Sequence, residues 1–435
     1  MFHTFGLASG RSGSWIRIGV ALCITCLSAT WGCSSCRTSR PSAALAPSLQ
    51  RSLSITKFQS SSLTDSDADH ILSEASQIIA NNACPLSLSR SGSVTDFNAG
   101  SGSVLTVADY QRVCAQPGYV HLVNSINWCN GITDALGCSD TPGTCIVMVR
   151  WAAPPDQDPA QIEEGILWAH EYGHTKNLHH RSNNDAVMNP ILNANRLKID
   201  QGECNAYLER SSTLPSAAPS QLQAATVEDF VHNVYIHGVP FEEARRFKSS
   251  EDVEKLGSLL KDSSQQRYWA NAATTLGMIG TAQATHHLTE FIARGSGVLT
   301  PEAYRAKSSA VIAMGFALGT TGEGQALSFL INKSDPAKWQ TFAWESPFTD
   351  GSANRDLQMA RTAIAALGFS GNVHAESALE KLHSKPELAS EPHFSESIDS
   401  AIADSQNVRR VGFDAYVIKN EELRGASVKG DANPQ

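Results

Sequence analysis

The stretch Trp168-Ala-His-Glu-Tyr-Gly-His-Thr-Lys-Asn-Leu-His-His180 concentrates the residues of this chain that can do chemistry. His170 and His174 stand four apart with Glu171 between them, and His180 follows six residues after His174. On a helix, residues four apart lie one turn apart on one face, so both imidazoles can reach one metal ion. A catalytic zinc takes three protein ligands and keeps a fourth position for water. His180 supplies the third if the helix stops soon after His174 and the chain turns back. Such a turn calls for a residue at positive φ, and Asn177, midway, is the commonest substitute for glycine there. Glu171 neighbours His170 and is expected to face the water rather than the metal.

Met188 follows eight residues after His180, in Asp-Ala-Val-Met-Asn-Pro190. Together these residues resemble the HExxHxxGxxH motif and Met-turn of the metzincin zinc endopeptidases, with the His-to-Met spacing of the matrixin branch. The resemblance implies one catalytic Zn2+ held by His170, His174 and His180, with Glu171 as general base. Met188 would form an apolar floor beneath the metal. Two positions depart from the family. Asn177 replaces its glycine, which the turn argument accommodates. Pro190 stands where astacin-like members carry a tyrosine, so that tyrosine's role is not carried over. A rival hydrolase arrangement, thermolysin-like, would recruit Glu203 as third ligand, and the Met-turn spacing argues against it. His179 is expected to point away from the metal, and His121 to be structural.

The 435 residues suffice for two or three domains, and the net charge of −9 with no basic run gives no sign of nucleic-acid binding. Residues 1–36 read as a signal peptide, with Arg11 and Arg17 before an apolar run from Ile18 to Ala29. Gly32-Cys33 faintly resembles a lipoprotein cleavage box, the one route by which a membrane would enter. Residues 37–54 read as a flexible leader and 55–210 as the catalytic domain. Residues 211–224 read as a Ser/Ala/Pro-rich linker, 225–420 as a helical repeat domain, and 421–435 as a disordered tail. The chain is therefore expected to be secreted, periplasmic or held at the cell envelope.

Beyond Cys36, six cysteines remain (Cys84, Cys114, Cys129, Cys138, Cys145 and Cys204), all in the stretch around the motif. In an exported chain they read as three disulfides, whose fifteen pairings composition does not distinguish. In the same stretch, Thr64 to Asn82 has a helical apolar face of Ala68, Ile71, Leu72, Ala75, Ile78 and Ile79. Pro85–Phe97 is strand-like with a break at Ser91-Gly92-Ser93. Tyr119–Trp128 reads as one strand, with Val120, Leu122 and Ile126 on one side. Thr144–Trp151 reads as a buried central strand. Asp158-Pro159-Ala160-Gln161 reads as the start of the motif helix, and Arg196–Arg210 as a last helix tied back through Cys204. This helix, strands, motif-helix order is what the metzincin resemblance implies. The same resemblance compares Ala135–Gly143 with the upper rim of the cleft, where a substrate backbone would pair with an edge strand; an ordinary surface loop is the equal alternative.

Downstream the chain repeats. Ala272–Gly280 (AATTLGMIG) recurs as Ala310–Gly319 and Ala363–Gly371, each copy preceded by an arginine: Arg267, Arg305 and Arg361. Small residues allow close helix packing, and each helical hairpin needs neighbours to cover its apolar face. This resembles HEAT-type repeats, with an inserted loop at Asp335–Asn354 and His286-His287 as helix-surface residues. The expected fold class is thus an α+β metzincin-like domain followed by an all-α HEAT-like solenoid. The expected function is zinc-dependent hydrolysis of a protein or peptide substrate, with a protein partner on the repeats. The alternative is a non-catalytic zinc-containing scaffold working through its repeats; Glu171, which metal binding does not require, favours the enzyme.

Overall fold

Thr64 caps a helix because its hydroxyl accepts the backbone N–H of Asp67 while the Asp67 carboxylate returns to the Thr64 N–H. That helix, α1 (Asp65–Asn81), buries the six expected residues on one face. They pack against a second long helix, α3 (Ile162–Thr175), which carries the motif. In the computed structural model the described residues are 49–151, 162–210, 224–348, 352–385, 388, 391 and 393–424. The signal peptide, most of the leader and linker, the Asp158–Gln161 helix start and the tail from 425 fall outside them. No helix among the described residues is long and apolar enough to cross a membrane.

Beneath the two helices lies a five-stranded sheet in the order β4 (Thr95–Phe97), β2 (Ile55–Phe58), β6 (Val120–Leu122), β10 (Ile146–Met148), β9 (Gly137–Ser139). The first four strands are parallel, and β9 closes the edge antiparallel to β10. Three of the expected boundaries change. The leader ends earlier, because Leu49–Leu53 is a strand, β1, paired in parallel with β3 (Leu86–Arg90) and burying Leu53. The expected strand over Tyr119–Trp128 is two strands in different sheets, so Val120 and Ile126 do not share a face. The break falls at Asn124, whose backbone N–H goes to Gly102 O and whose side chain is held by Ser60 and Ser61. Beyond it, β7 (Ser125–Trp128) lies between β5 (Ser103–Val104) and β8 (Ile132–Ala135). The helix expected at Arg196–Arg210 shortens to α4 (Gln201–Tyr207), capped by Asp200.

Central strand β6 carries His121, fully buried, with Nδ1 2.8 Å from Thr56 Oγ1. Burial pushes its pKa down to about 4, against a backbone hydrogen bond at Gly118. The unfolded chain, with an ordinary histidine near 6.5, binds more protons between pH 4 and 6.5, so this histidine's contribution to stability is complete above pH 6.5 and lost as pH falls towards 4. That amounts to about 3 kcal/mol. His121→Gln should remove this limb, read as a smaller difference between urea-unfolding free energies at pH 7 and pH 4.5.

The six cysteines form the expected three disulfides, Cys84–Cys204, Cys114–Cys145 and Cys129–Cys138. The first ties α4 to the end of α1, and three such bonds fit an oxidising, extracellular setting.

The rest of the described residues are mainly helical, with short strands at Val234–Tyr235, Gly297–Val298 and Trp344–Glu345. The repeated segments fall in α8 (Trp269–Ile279), α10 (Pro301–Thr321) and α12 (Ser352–Phe369), which stack side by side with α14 (Phe394–Val411). Each copy presents one glycine to the next helix. A Cβ on Gly277 would overlap Ala313, one on Gly315 would overlap Ala366, and one on Gly368 would overlap Ala401. The repeat is thus a spacing device for close helix contact, and α14 is a fourth layer that sequence comparison did not show. Within the expected insertion, Trp339 and Trp344 are fully buried. His287 departs from expectation. Only His286 is exposed, whereas the His287 ring is buried in the space left by Gly257.

The repeating arginines have a common use: each docks the helices onto the sheet-bearing region. Arg267 Nη2 lies 2.5 Å from Glu163 Oε2 with its guanidinium over Trp151, Arg305 donates to Arg150 O at 2.9 Å, and Arg361 donates to Asp109 Oδ1 at 3.0 Å. The arginine-bearing face is therefore occupied by the chain itself. Arg361 and Asp109 are both buried. Arg361→Met should cost about 3 kcal/mol in denaturant unfolding, because it strands a buried carboxylate with Arg112 as its remaining cation.

Candidate metal centre

Helix α3 places His170 and His174 one turn apart, and the chain reverses three residues after His174 through Asn177 at φ 67°. That reversal returns His180 to the same point. His170 Nε2 lies 3.0 Å from His174 Nε2 and 3.1 Å from His180 Nε2, and His174 Nε2 lies 3.1 Å from His180 Nε2. The three histidines singled out in the sequence are therefore brought together. A fourth joins them. His237 Nε2 sits 3.3 Å from both His170 Nε2 and His174 Nε2. All four residues are buried, and their ligand atoms lie within 4.8 Å of one another.

The donor set fits a metal ion. A tetrahedron with bonds of about 2.0–2.1 Å has edges of about 3.3 Å, close to the separations above. The supporting contacts fit as well. His170 Nδ1 donates to Val187 O and His174 Nδ1 to Leu178 O, both at 2.8 Å. A proton on Nδ1 leaves the Nε2 lone pair directed into the cluster, as the carbonyl partners of metal-binding histidines do. Burial, followed by the neighbouring imidazoles, pushes the pKa values of His170 and His174 well below 6.5 and keeps the rings in their neutral, ligating form.

Glu171 is wholly buried beside this cluster. Its Oε2 accepts from Ser139 Oγ at 2.7 Å, while Oε1, 3.5 Å from His237 Nε2, has no hydrogen-bond partner among the described residues. Burial pushes its pKa up to about 8, with the Ser139 hydrogen bond opposing. The carboxylate reaches this position because Gly137, on edge strand β9, has no Cβ to obstruct it. Met188 is buried against Gly173, where a Cβ would approach its sulfur to 2.6 Å, and Tyr207 Oη lies 3.8 Å from that sulfur. His179 is exposed, as expected. Glu203 lies outside the cluster: its carboxylate accepts the Asp200 N–H and pairs with Arg181 at 3.2 Å, which removes the thermolysin-like alternative. A pocket of about 490 Å³ opens beside the histidines, lined by Ser139, Thr141, Pro142 and His179 and by Glu422 and Leu423 of the last helix, α15 (Phe413–Arg424).

His237 was not among the residues the sequence analysis selected. It follows β12 (Val234–Tyr235), which pairs antiparallel with β11 (Ile191–Leu192) just after the Met188 turn. No spacing rule links it to the motif. The available signal was the β-rich run Val234-Tyr-Ile-His-Gly-Val-Pro240 inside a region otherwise read as helical.

No protein-family model matches this chain, and no curated protein is similar to it in sequence. The functional reading rests on the site itself.

Proposed function

We propose that this chain is an exported zinc-dependent endopeptidase of metzincin type, with HEAT-like helices packed on its peptidase region. The observation that carries the reading is Glu171: a buried carboxylate, not needed as a ligand, with one oxygen that makes no hydrogen bond among the described residues and lies 3.5 Å from His237 Nε2. A group so placed is costly unless it has a task. Zinc held by these histidines would supply Lewis-acid polarisation of a carbonyl and an acidified water. Glu171 Oε1 would take the proton of that water and return it to the leaving amine, while Ser139 holds the other oxygen in place. His170 and His174, fixed through their Nδ1 hydrogen bonds, keep the donor geometry rigid.

One observation favours the second reading, a structural zinc in a non-catalytic scaffold: four nitrogen donors, rather than three, are the number of a closed structural site. Hydrolysis of a mixed fluorogenic peptide library by the zinc-loaded chain, and by a form in which His237 is replaced, separates the two. Cleavage that a chelator stops and zinc restores supports the endopeptidase. Absence of cleavage in both forms, with one zinc per chain, overturns it.

A further inference from the structure

The fourth histidine arrives on a segment whose backbone is held from two sides. Ile236 N donates to Pro190 O at 2.9 Å, and Leu136 N donates to Ile236 O at 2.8 Å. Before it, Val234 and Tyr235 pair antiparallel with Leu192 and Ile191. After it, Thr133 Oγ1 donates to His237 O at 2.8 Å. Val234–Tyr235 thus forms a short strand, and the chain bends at Ile236 and His237 between the residues beyond the Met188 turn and the β8–β9 corner. Val234 and Ile236 are buried in the core that also contains Leu167, Met188 and Leu192. Val234 and Tyr235 are bound as an added edge strand is, by main-chain hydrogen bonds. Here the strand belongs to the same chain, and the segment ends on the metal cluster.

Directly after His237 the segment leaves. Gly238 adopts φ 94°, and a Cβ there would overlap the Thr133 hydroxyl. Only glycine turns the backbone away at this point while leaving the His237 carbonyl on Thr133. The exit is covered by the last helix: the Phe241 N–H donates to Glu421 Oε1 at 2.6 Å, and Asn420 packs on Gly131.

Resting on the endopeptidase reading, we infer that Val234–Gly238 is an autoinhibitory strap: main-chain hydrogen bonds pin it beside the metal centre and His237 takes the fourth coordination position, so the folded chain is latent until the strap is displaced.

The test uses the full chain loaded with Co2+, read by its visible absorption with azide as a probe of an open position. The wild type should be insensitive to azide. His237→Ala and His237→Gln should keep one Co2+ per chain, change the spectrum and bind azide. Gly238→Ala keeps the imidazole and strains only the strap, and should gain part of that response; it guards against a His237 variant that fails to fold. A synthetic peptide of residues 232–240 should reverse the azide response of His237→Ala. In the peptide library, opening should raise cleavage roughly tenfold or more, since apparent affinity scales with the competent fraction. Loss of cobalt from well-folded His237 variants would make His237 a structural ligand and overturn the strap. So would a wild-type protein that already binds azide. If azide binds to the variants but no peptide is cleaved, His237 stands as a removable fourth ligand, while the endopeptidase reading and the latency drawn from it fail.

Discussion

Glu171→Gln, made in the His237→Ala background, should leave a chain that carries one metal ion and cleaves peptides about 10²–10⁴-fold more slowly. The amide has the size of the carboxylate and its oxygen can still accept from Ser139 Oγ. It cannot accept a proton from water. The metal should be unaffected, because the donors left in this background are His170, His174 and His180, and Glu171 is not one of the ligand group. Initial rates on a fluorogenic peptide, set beside zinc content by atomic absorption, check both halves. An unchanged rate would remove Glu171 from the reaction. Loss of zinc with loss of rate would make it part of the metal-holding structure instead.

The second large effect is on stability. Four imidazoles converge in a buried space, with Nε2 atoms 3.0–3.3 Å apart, an arrangement that a cation stabilises. Metal that binds the folded chain and not the unfolded one should add about 4 kcal/mol at a free concentration a thousandfold above its Kd. Chelation should therefore lower the unfolding free energy by that order, and zinc should restore it. His174→Ala, which removes a donor at the end of α3, should abolish the zinc-dependent increment while costing the metal-free protein far less. Urea unfolding with and without chelator, for wild type and variant, measures all four numbers. A zinc increment that survives in His174→Ala would place the ion elsewhere.

Local spacing was a sound guide wherever the determining physics is local. Four residues of separation on a helix put His170 and His174 on one face, and a left-handed Asn177 returned His180, because both follow from backbone geometry within a dozen residues. The apolar face of α1 and its Thr64 cap were legible for the same reason. The recurring glycines marked helix contacts correctly, since only a missing Cβ allows Gly277, Gly315 and Gly368 to meet the neighbouring alanines. Reading Tyr119–Trp128 as one strand failed because alternation continues through Asn124, while the hydrogen bonds that break the strand come from Gly102, Ser60 and Ser61. The burial of His287 escaped notice because it depends on a glycine of another helix, Gly257.

By itself, then, the sequence determined three histidines that could hold a metal ion, an adjacent carboxylate, an even set of cysteines in one region and a stacked helical array. Each is written in short-range period, or in composition. Only the tertiary structure decided the rest. It paired Cys84 with Cys204 across 120 residues, and turned Arg267, Arg305 and Arg361 onto the sheet-bearing region. It also carried His237 across the chain to the other three imidazoles. These contacts depend on which surfaces meet after collapse, and no local periodicity records that. The fourth histidine shows how much rides on such contacts. Three nitrogens would describe an open catalytic site, whereas the fourth, delivered by a segment held between Leu136 and Pro190, describes a site closed by its own chain.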